Sequence, residues 1–471
     1  MSRIADIRTA ILDFAKKCGG ENFEDYLLRG SDLSEENFSK DYHWFGLIRN
    51  DQPKSSTYSG LSIAVAPSNE ESRWLMTLGV GLDGLGEDIS LASKPGVRRL
   101  FSQLVDGDGF AKYNFTDLQS PVDKTLLDKL PEDILRTINR LYSKHLPVCQ
   151  IVQIPEETSG KELPSIMAAF IAAYSRIRGW DTSAEKRKVV NKAIDFRVSE
   201  IKPTTEVSQE KQIQKLVSTR RFIVLQGAPG VGKTRMAKQI ANALTKNQTG
   251  KVVFTQFHAE TSYSDFIYGL RPVVNSKDLA YTDRHGPLVN AIELAEGDRE
   301  NNVVLIIDEI NRANLSNVLG ECFYLFEPDL EPNVNVEIFP GKTLKELPKN
   351  LFVIGTMNTA DRSLAVVDFA LRRRFAWYTM APQTIKDSDR FYKEEYQEIS
   401  EIFEWFATDE ELALQPGQGY FLADDNNAMM NRIRYELYPL IKEYLNEGLL
   451  KEATSRFDFF FKSKINRSIY Q

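Results

Sequence analysis

The sequence predicts an α/β protein built on a five-stranded parallel sheet, with a helical C-terminal subdomain after it and a separate mixed α+β domain before it. Three observations carry this. Between residues 221 and 380 five short runs are almost wholly apolar: RFIVLQ (221–226), KVVFTQF (251–257), VVLIID (303–308), LFVIGTMN (351–358) and FAWYTM (375–380). They lack the polar alternation of a half-exposed strand, as a parallel sheet covered on both faces demands. Helix-like segments such as TRMAKQIANALTK (234–246) separate them. From about residue 382 the strand-like runs stop and helical spacing takes over, as in RYELYPLIKEYLNEGLL (434–450).

The N-terminal part reads differently. Ile4, Ile7, Ile11 and Phe14 form one apolar stripe on a short helix. Strand-like LSIAVA (61–66), RWLMTLGV (73–80) and VCQIVQI (148–154) then alternate with helix-like DILRTINRLYSKH (133–145) and LPSIMAAFIAAYSRI (163–177). The chain therefore divides into an N-terminal α+β domain over 1–180, a linker over 181–208, a large α/β subdomain over 209–381 and a helical subdomain over 382–471. The linker expectation rests on the charged run KRK at 186–188 and the turn-like KPTTE at 202–206.

Composition narrows the function classes. The 471 residues are 42% hydrophobic and 27% charged, which fits a globular chain and neither a disordered nor a fibrous one. No run of about 18 apolar residues is present, and the N-terminal apolar stretch contains acids, so neither a membrane span nor a secretory leader is expected. A cytoplasmic protein without a membrane partner is the expectation. Cys18, Cys149 and Cys322 form an odd, widely spaced set, which suits a reducing compartment and makes neither a disulfide framework nor a zinc site. With a net charge of −7, any contact with DNA must use a local basic surface rather than the overall field.

The chemistry is concentrated at strand ends. Gly227, Ala228, Pro229, Gly230, Val231, Gly232, Lys233 and Thr234 spell GxxxxGK[ST] between the first strand and a helix. Such glycines let successive backbone N–H groups converge on a phosphate at a helix N-terminus, while Lys233 reaches the β and γ phosphates and Thr234 can ligate Mg²⁺. The third strand ends in Asp308 and Glu309. The first acid can hold the Mg²⁺ shell and the second can polarise a water for attack on the γ phosphate. Asn358 ends the fourth strand, placed to orient that water. Arg372, Arg373 and Arg374 precede the last strand, and three adjacent arginines cannot all face one way. Part of the cluster could complete the phosphate site of a neighbouring subunit.

These motifs resemble the AAA+ motor of the McrB family, the nucleotide-hydrolysing subunit of modification-dependent (type IV) restriction systems. The resemblance rests on GAPGVGKT (227–234), FHAETSYSDFIYGLRP (257–272), IIDEINRANLS (306–316) and above all MNTADRSLAVVDFALRRRF (357–375). GQGYFL (417–422) and RYELYPLIKEYL (434–445) are similar to the family's lid. The resemblance implies an AAA+ P-loop NTPase core in which Lys233 and Thr234 bind nucleotide and Mg²⁺ and Asp308 and Glu309 form the second acidic motif. Asn358 would be the first sensor, Asp361 and Arg362 would complete the loop that positions the catalytic water, and Arg373 and Arg374 would act across a subunit interface. It further implies a homo-hexameric ring, GTP as substrate more than ATP, modified or foreign DNA as target, and a separate McrC-type nuclease subunit. A MoxR-like ATPase that remodels a protein partner is the alternative.

Other patterns carry less. Gly79-Val-Gly81-Leu-Asp-Gly84 fits GxGxxG but lacks a following helix and a second βαβ half, so a glycine-rich turn is expected. Asn191-Lys192-Ala-Ile-Asp195 has one residue too many for a guanine-reading motif and is read as a helix segment. Asp195 with Glu200 and Lys202 imitates a nuclease set on a stretch that offers no paired strands, so no nuclease site is expected in this chain.

Overall fold

The computed structural model describes residues 3–19, 26–30, 45–49, 61–67, 73–80, 91, 94–106, 109–111, 148–153, 163–201, 208–248, 250–272, 281–327, 334–360, 369–386 and 388–470. The chain divides into two compact units, Met1–Thr205 with Glu404–Thr408, and Glu206–Phe403 with Asp409–Gln471.

In the first unit, β1 (Tyr26–Gly30), β2 (Phe45–Arg49), β3 (Leu61–Pro67), β4 (Arg73–Val80), β5 (Gly109–Ala111) and β6 (Val148–Gln153) form one sheet in the order β1-β2-β3-β4-β6-β5. Every pairing in it is antiparallel. Helices Arg3–Lys17, Pro95–Leu104, Ser165–Ile177 and Ala184–Ile201 accompany it. Their core is aromatic and aliphatic, with Phe101 set edge-on to Phe170 at 5.1 Å between centroids. This is the mixed α+β domain the sequence predicts, with β1, β2 and β5 added. The helix expected over 133–145 lies outside the described residues, as do Gly81 and Gly84.

The expected linker is corrected here. Ala184–Ile201 is a helix of 18 residues, and the first unit extends to Thr205. Its charged surface hides two apolar residues one turn apart, Val190 and Ile194, which enter the unit's core. Asn191, Lys192, Asp195 and Glu200 all sit on it. The helical segment reading of 191–195 holds, and one helix cannot supply the paired strands of a nuclease site. Residues 404–408 also differ from the expected lid boundary: the Arg99 guanidinium donates to the carbonyls of Glu404 and Ala407, the latter at 2.8 Å, which ties this short stretch to the first unit.

The second unit holds the parallel sheet. Its strands are β7 (Phe222–Gly227), β8 (Val252–Gln256), β11 (Val303–Asp308), β14 (Leu351–Asn358) and β15 (Ala376–Thr379), in the order β15-β7-β14-β11-β8. All four pairings are parallel. Successive side chains leave opposite faces of a strand, and the packing follows that rule. Phe222, Val224, Val303, Leu305, Ile307, Leu351 and Val353 enter one core, whereas Ile223, Leu225, Val304, Ile306 and Ile354 enter the other. Helix Lys233–Leu244 turns Ala237, Ile240 and Ala241 onto the second core, and helix Pro287–Gly297 turns Leu288, Val289, Ile292 and Ala295 onto the first. Two short antiparallel pairs decorate this framework, β9 (Tyr268–Pro272) with β10 (Tyr281–His285) and β12 (Val336–Phe339) with β13 (Lys342–Leu344). Past β15 the chain is helical: Lys393–Phe406, Asn426–Arg432, Tyr438–Asn446 and Thr454–Ile465. Among the described residues no helix is long and apolar enough to cross a membrane.

Candidate active site

The register of the parallel sheet brings the chemistry together at its C-terminal edge. Asn358 stands opposite Gly227 on β7, so the end of β14 meets the start of the glycine loop. Asp308 closes β11 on the other side of β14. Ligands of open α/β sheets collect at this carboxyl edge.

The loop Gly227–Thr234 joins β7 to helix Lys233–Leu244. Gly232, the N-cap of that helix, has φ +89°, in the left-handed region where a Cβ is strained. Lys233 is buried, and its ammonium donates to the carbonyls of Gly227 and Ala228 at 3.0 and 2.9 Å and to Asn358 Oδ1 at 2.5 Å. Asn358 Nδ2 in turn donates to Glu309 Oε1 at 2.7 Å. One side-chain amide therefore links the loop lysine to the second acid. The other oxygen of Glu309 pairs with Arg312 Nε at 3.3 Å. Glu309 itself has φ +54°, a left-handed backbone that is strained for a residue with a Cβ, immediately after β11 ends.

Asp308 is buried, and Thr234 Oγ1 donates to its Oδ1 at 2.7 Å. Thr356 Oγ1 donates to the same oxygen at 2.6 Å and accepts the Glu309 N–H at 3.2 Å. A hydroxyl and a carboxylate 2.7 Å apart are two hard oxygen donors close enough to serve one small divalent cation, so the residues present fit Mg²⁺. The buried ammonium now resting on carbonyl and amide oxygens fits an anionic partner equally well.

Gly227, Ala228, Lys233 and Thr234 of the loop thus meet Asp308, Glu309 and Asn358 at one edge. Asp361 and Arg362 lie outside the described residues. The arginines sit elsewhere in the unit, where the carboxylate of Glu327 accepts from both Arg373 and Arg374. Arg374 is buried with its guanidinium 3.8 Å from the centre of the Phe323 ring, whereas the Arg373 side chain is 66% exposed. Arg372 lies over Trp377.

Sequence reasoning missed Thr356, Arg312 and Glu327. Thr356 had a usable signal, a polar side chain two positions before Asn358 and hence on the same face of a buried strand. Glu327 had none, since only folding brings it to the arginines.

Residues 222–375 match the family described as AAA domain (dynein-related subfamily). The chain is 43% identical over 175 residues to the type IV methyl-directed restriction enzyme EcoKMcrB subunit of Escherichia coli (strain K12), covering 36% of this chain and 37% of that one. It is 28% identical over 201 residues to the type II restriction enzyme BsuMI component YdiS of Bacillus subtilis (strain 168), covering 34% and 57% respectively. The chain thus spans less than two thirds of the length of these curated relatives.

Proposed function

We propose that the chain, whose residues 222–375 match the AAA domain family and which is similar to a McrB subunit over 175 residues, is the McrB-like nucleotide-hydrolysing motor of a restriction complex directed against modified or foreign DNA. The observation that carries this reading is the hydrogen-bonded path from Lys233 through Asn358 to Glu309, which ties a phosphate-binding cation to a water-polarising acid.

In this reading the backbone N–H groups of Gly227–Thr234 and the ammonium of Lys233 bind the phosphates of GTP, favoured over ATP. Thr234 and Asp308 would hold Mg²⁺, which supplies charge neutralisation at the β and γ phosphates. Glu309 accepts the proton of the attacking water, and Asn358 fixes the carboxylate that receives it. Asp361 and Arg362 complete the same loop by resemblance. An arginine acts on the γ phosphate of the neighbouring subunit in a hexameric ring, and exposure favours Arg373 for that task, since Arg374 is packed against Phe323. The N-terminal domain reads DNA and a separate McrC-type nuclease cuts it, all in the cytoplasm.

Two measurements on the full chain test this. Phosphate release with Mg²⁺ is expected from GTP in preference to ATP. DNA binding is expected to weaken with salt at a log–log slope of about −0.9 per phosphate contacted. Preference for ATP together with no salt-dependent DNA binding would replace this reading with a MoxR-like ATPase that remodels a protein.

A further inference from the structure

The phosphate loop is braced from outside its own segment. Three of its consecutive carbonyls are each capped by a donor from the C-terminal helical subdomain. Gly417 N donates to Pro229 O, Gly419 N to Gly230 O, and Gln418 Nε2 to Val231 O, each at 2.9 Å. A trans peptide unit points its C=O and the following N–H in opposite directions. Drawing the carbonyls of 229, 230 and 231 outward therefore turns the N–H groups of Gly230, Val231 and Gly232 the other way, toward the concavity where a phosphate is cradled.

The strap that does this is itself fixed. Gln418 Oε1 accepts the Gln383 N–H at 3.2 Å, and the Arg432 guanidinium donates to the carbonyls of Gly419 and Leu422, the latter at 2.8 Å. The approach is as close as backbone allows. A Cβ on Gly417 would lie 2.2 Å from both Gly230 C and Val231 N, although φ −72° at Gly417 suits any residue. A Cβ on Gly230 would lie 2.7 Å from the Tyr420 ring.

We propose that residues 417–420 preset the phosphate loop, so that affinity for the diphosphate of a nucleotide is set jointly by the loop and by this strap. This rests on the nucleotide-binding reading above. A loop already shaped loses less conformational freedom on binding, and whatever loosens the strap returns that cost to the ligand. The coupling is reciprocal: nucleotide in the loop must hold the strap in place by the same factor.

The test uses the full chain with fluorescent mant-GDP and mant-ADP. Gly417→Ala forces a methyl into the loop backbone and is expected to weaken both nucleotides about tenfold or more, and Gln418→Ala, which removes a single cap, about fivefold. Gly297→Ala, where a Cβ meets nothing within 4 Å, should bind as wild type. Hydrogen exchange at the Gly417 and Gly419 amides of the wild-type chain should slow when mant-GDP is added. A merely structural strap would lower Tm in the two variants and leave Kd unchanged. Unchanged Kd in folded Gln418→Ala, or exchange at those amides indifferent to nucleotide, overturns the proposal even if Gly417→Ala fails to fold. A wild-type chain that binds neither nucleotide overturns it together with the function proposed above, and so separates the two failures.

Discussion

Thr234 and Thr356 donate to the same oxygen, Asp308 Oδ1, from 2.7 and 2.6 Å. One hydroxyl comes from the loop helix and the other from the middle strand, so the acid is gripped from two sides. Thr356 also accepts the Glu309 N–H, so one hydroxyl touches both acids through their different groups. Thr356→Val keeps the shape and removes the hydroxyl, leaving a buried carboxylate oxygen one donor short and the Glu309 amide without this acceptor. The expected cost is about 1–3 kcal/mol of stability and a fall in turnover that Thr356→Ser largely restores. Thermal unfolding and phosphate release on the three proteins check it, and equal loss in the Val and Ser variants would refute the role.

Glu309→Gln retains an oxygen for Asn358 Nδ2 and leaves Asp308 intact. Nucleotide should bind with near-normal affinity while turnover falls by roughly 10² or more. Single-turnover phosphate release beside a mant-nucleotide titration separates the two effects, and near-normal turnover would remove Glu309 from the mechanism.

The two arginines on Glu327 are expected to part company. Arg374 is buried over Phe323, so Arg374→Ala should lower the melting temperature, the cation–π contact alone contributing about 0.5–2 kcal/mol. Arg373→Ala removes a side chain that is 66% exposed, and surface pairs contribute about 0–1 kcal/mol. Its effect should appear in turnover of the assembled protein, about 10³-fold. Mixing Arg373→Ala with Lys233→Ala chains should restore part of that turnover, because some interfaces then pair an intact loop with an intact arginine. Full activity of Arg373→Ala by itself would exclude the trans-acting role.

Burial pushes the Cys18 thiol up to about 12 and that of Cys322 up to about 11. A raised thiol pKa keeps the group protonated, so at pH 8 the reactive thiolate is about one part in 10⁴ at Cys18 and one in 10³ at Cys322. Iodoacetamide should therefore spare both in the folded protein and label both in guanidinium. Mass spectrometry of peptides containing each residue reads the result, and rapid labelling of either without denaturant would contradict the burial.

The parallel sheet was legible because its strands are almost wholly apolar runs, most completely in the central strands β7, β11 and β14, and the edge chemistry was legible because Asp308, Glu309 and Asn358 stand where such strands end and Lys233 and Thr234 close the loop that follows one. What escaped has no local period. Gly417 and Gln418 lie far along the chain from the loop they cap, and Glu327 meets Arg373 only through tertiary packing. The pairs β9–β10 and β12–β13 are too short and polar to stand out as strands. The 181–208 stretch was misread because helix Ala184–Ile201 buries only Val190 and Ile194 among its charges, too narrow a stripe to outweigh the composition around it.

Strand order has a consequence for synthesis of the protein. β14 lies between β7 and β11, yet it leaves the ribosome after both. Until Asn358 has emerged, β7 lacks a neighbour on that side, Lys233 lacks its amide partner and Asp308 lacks Thr356. The nascent chain must keep two apolar strands apart and open for a third that arrives later, a non-local arrangement that is slow to form and exposed to aggregation meanwhile. Loss of the β14 segment would thus strand the earlier half of the sheet, so truncations ending before residue 351 should accumulate as insoluble product, and those extending through the helical subdomain should not.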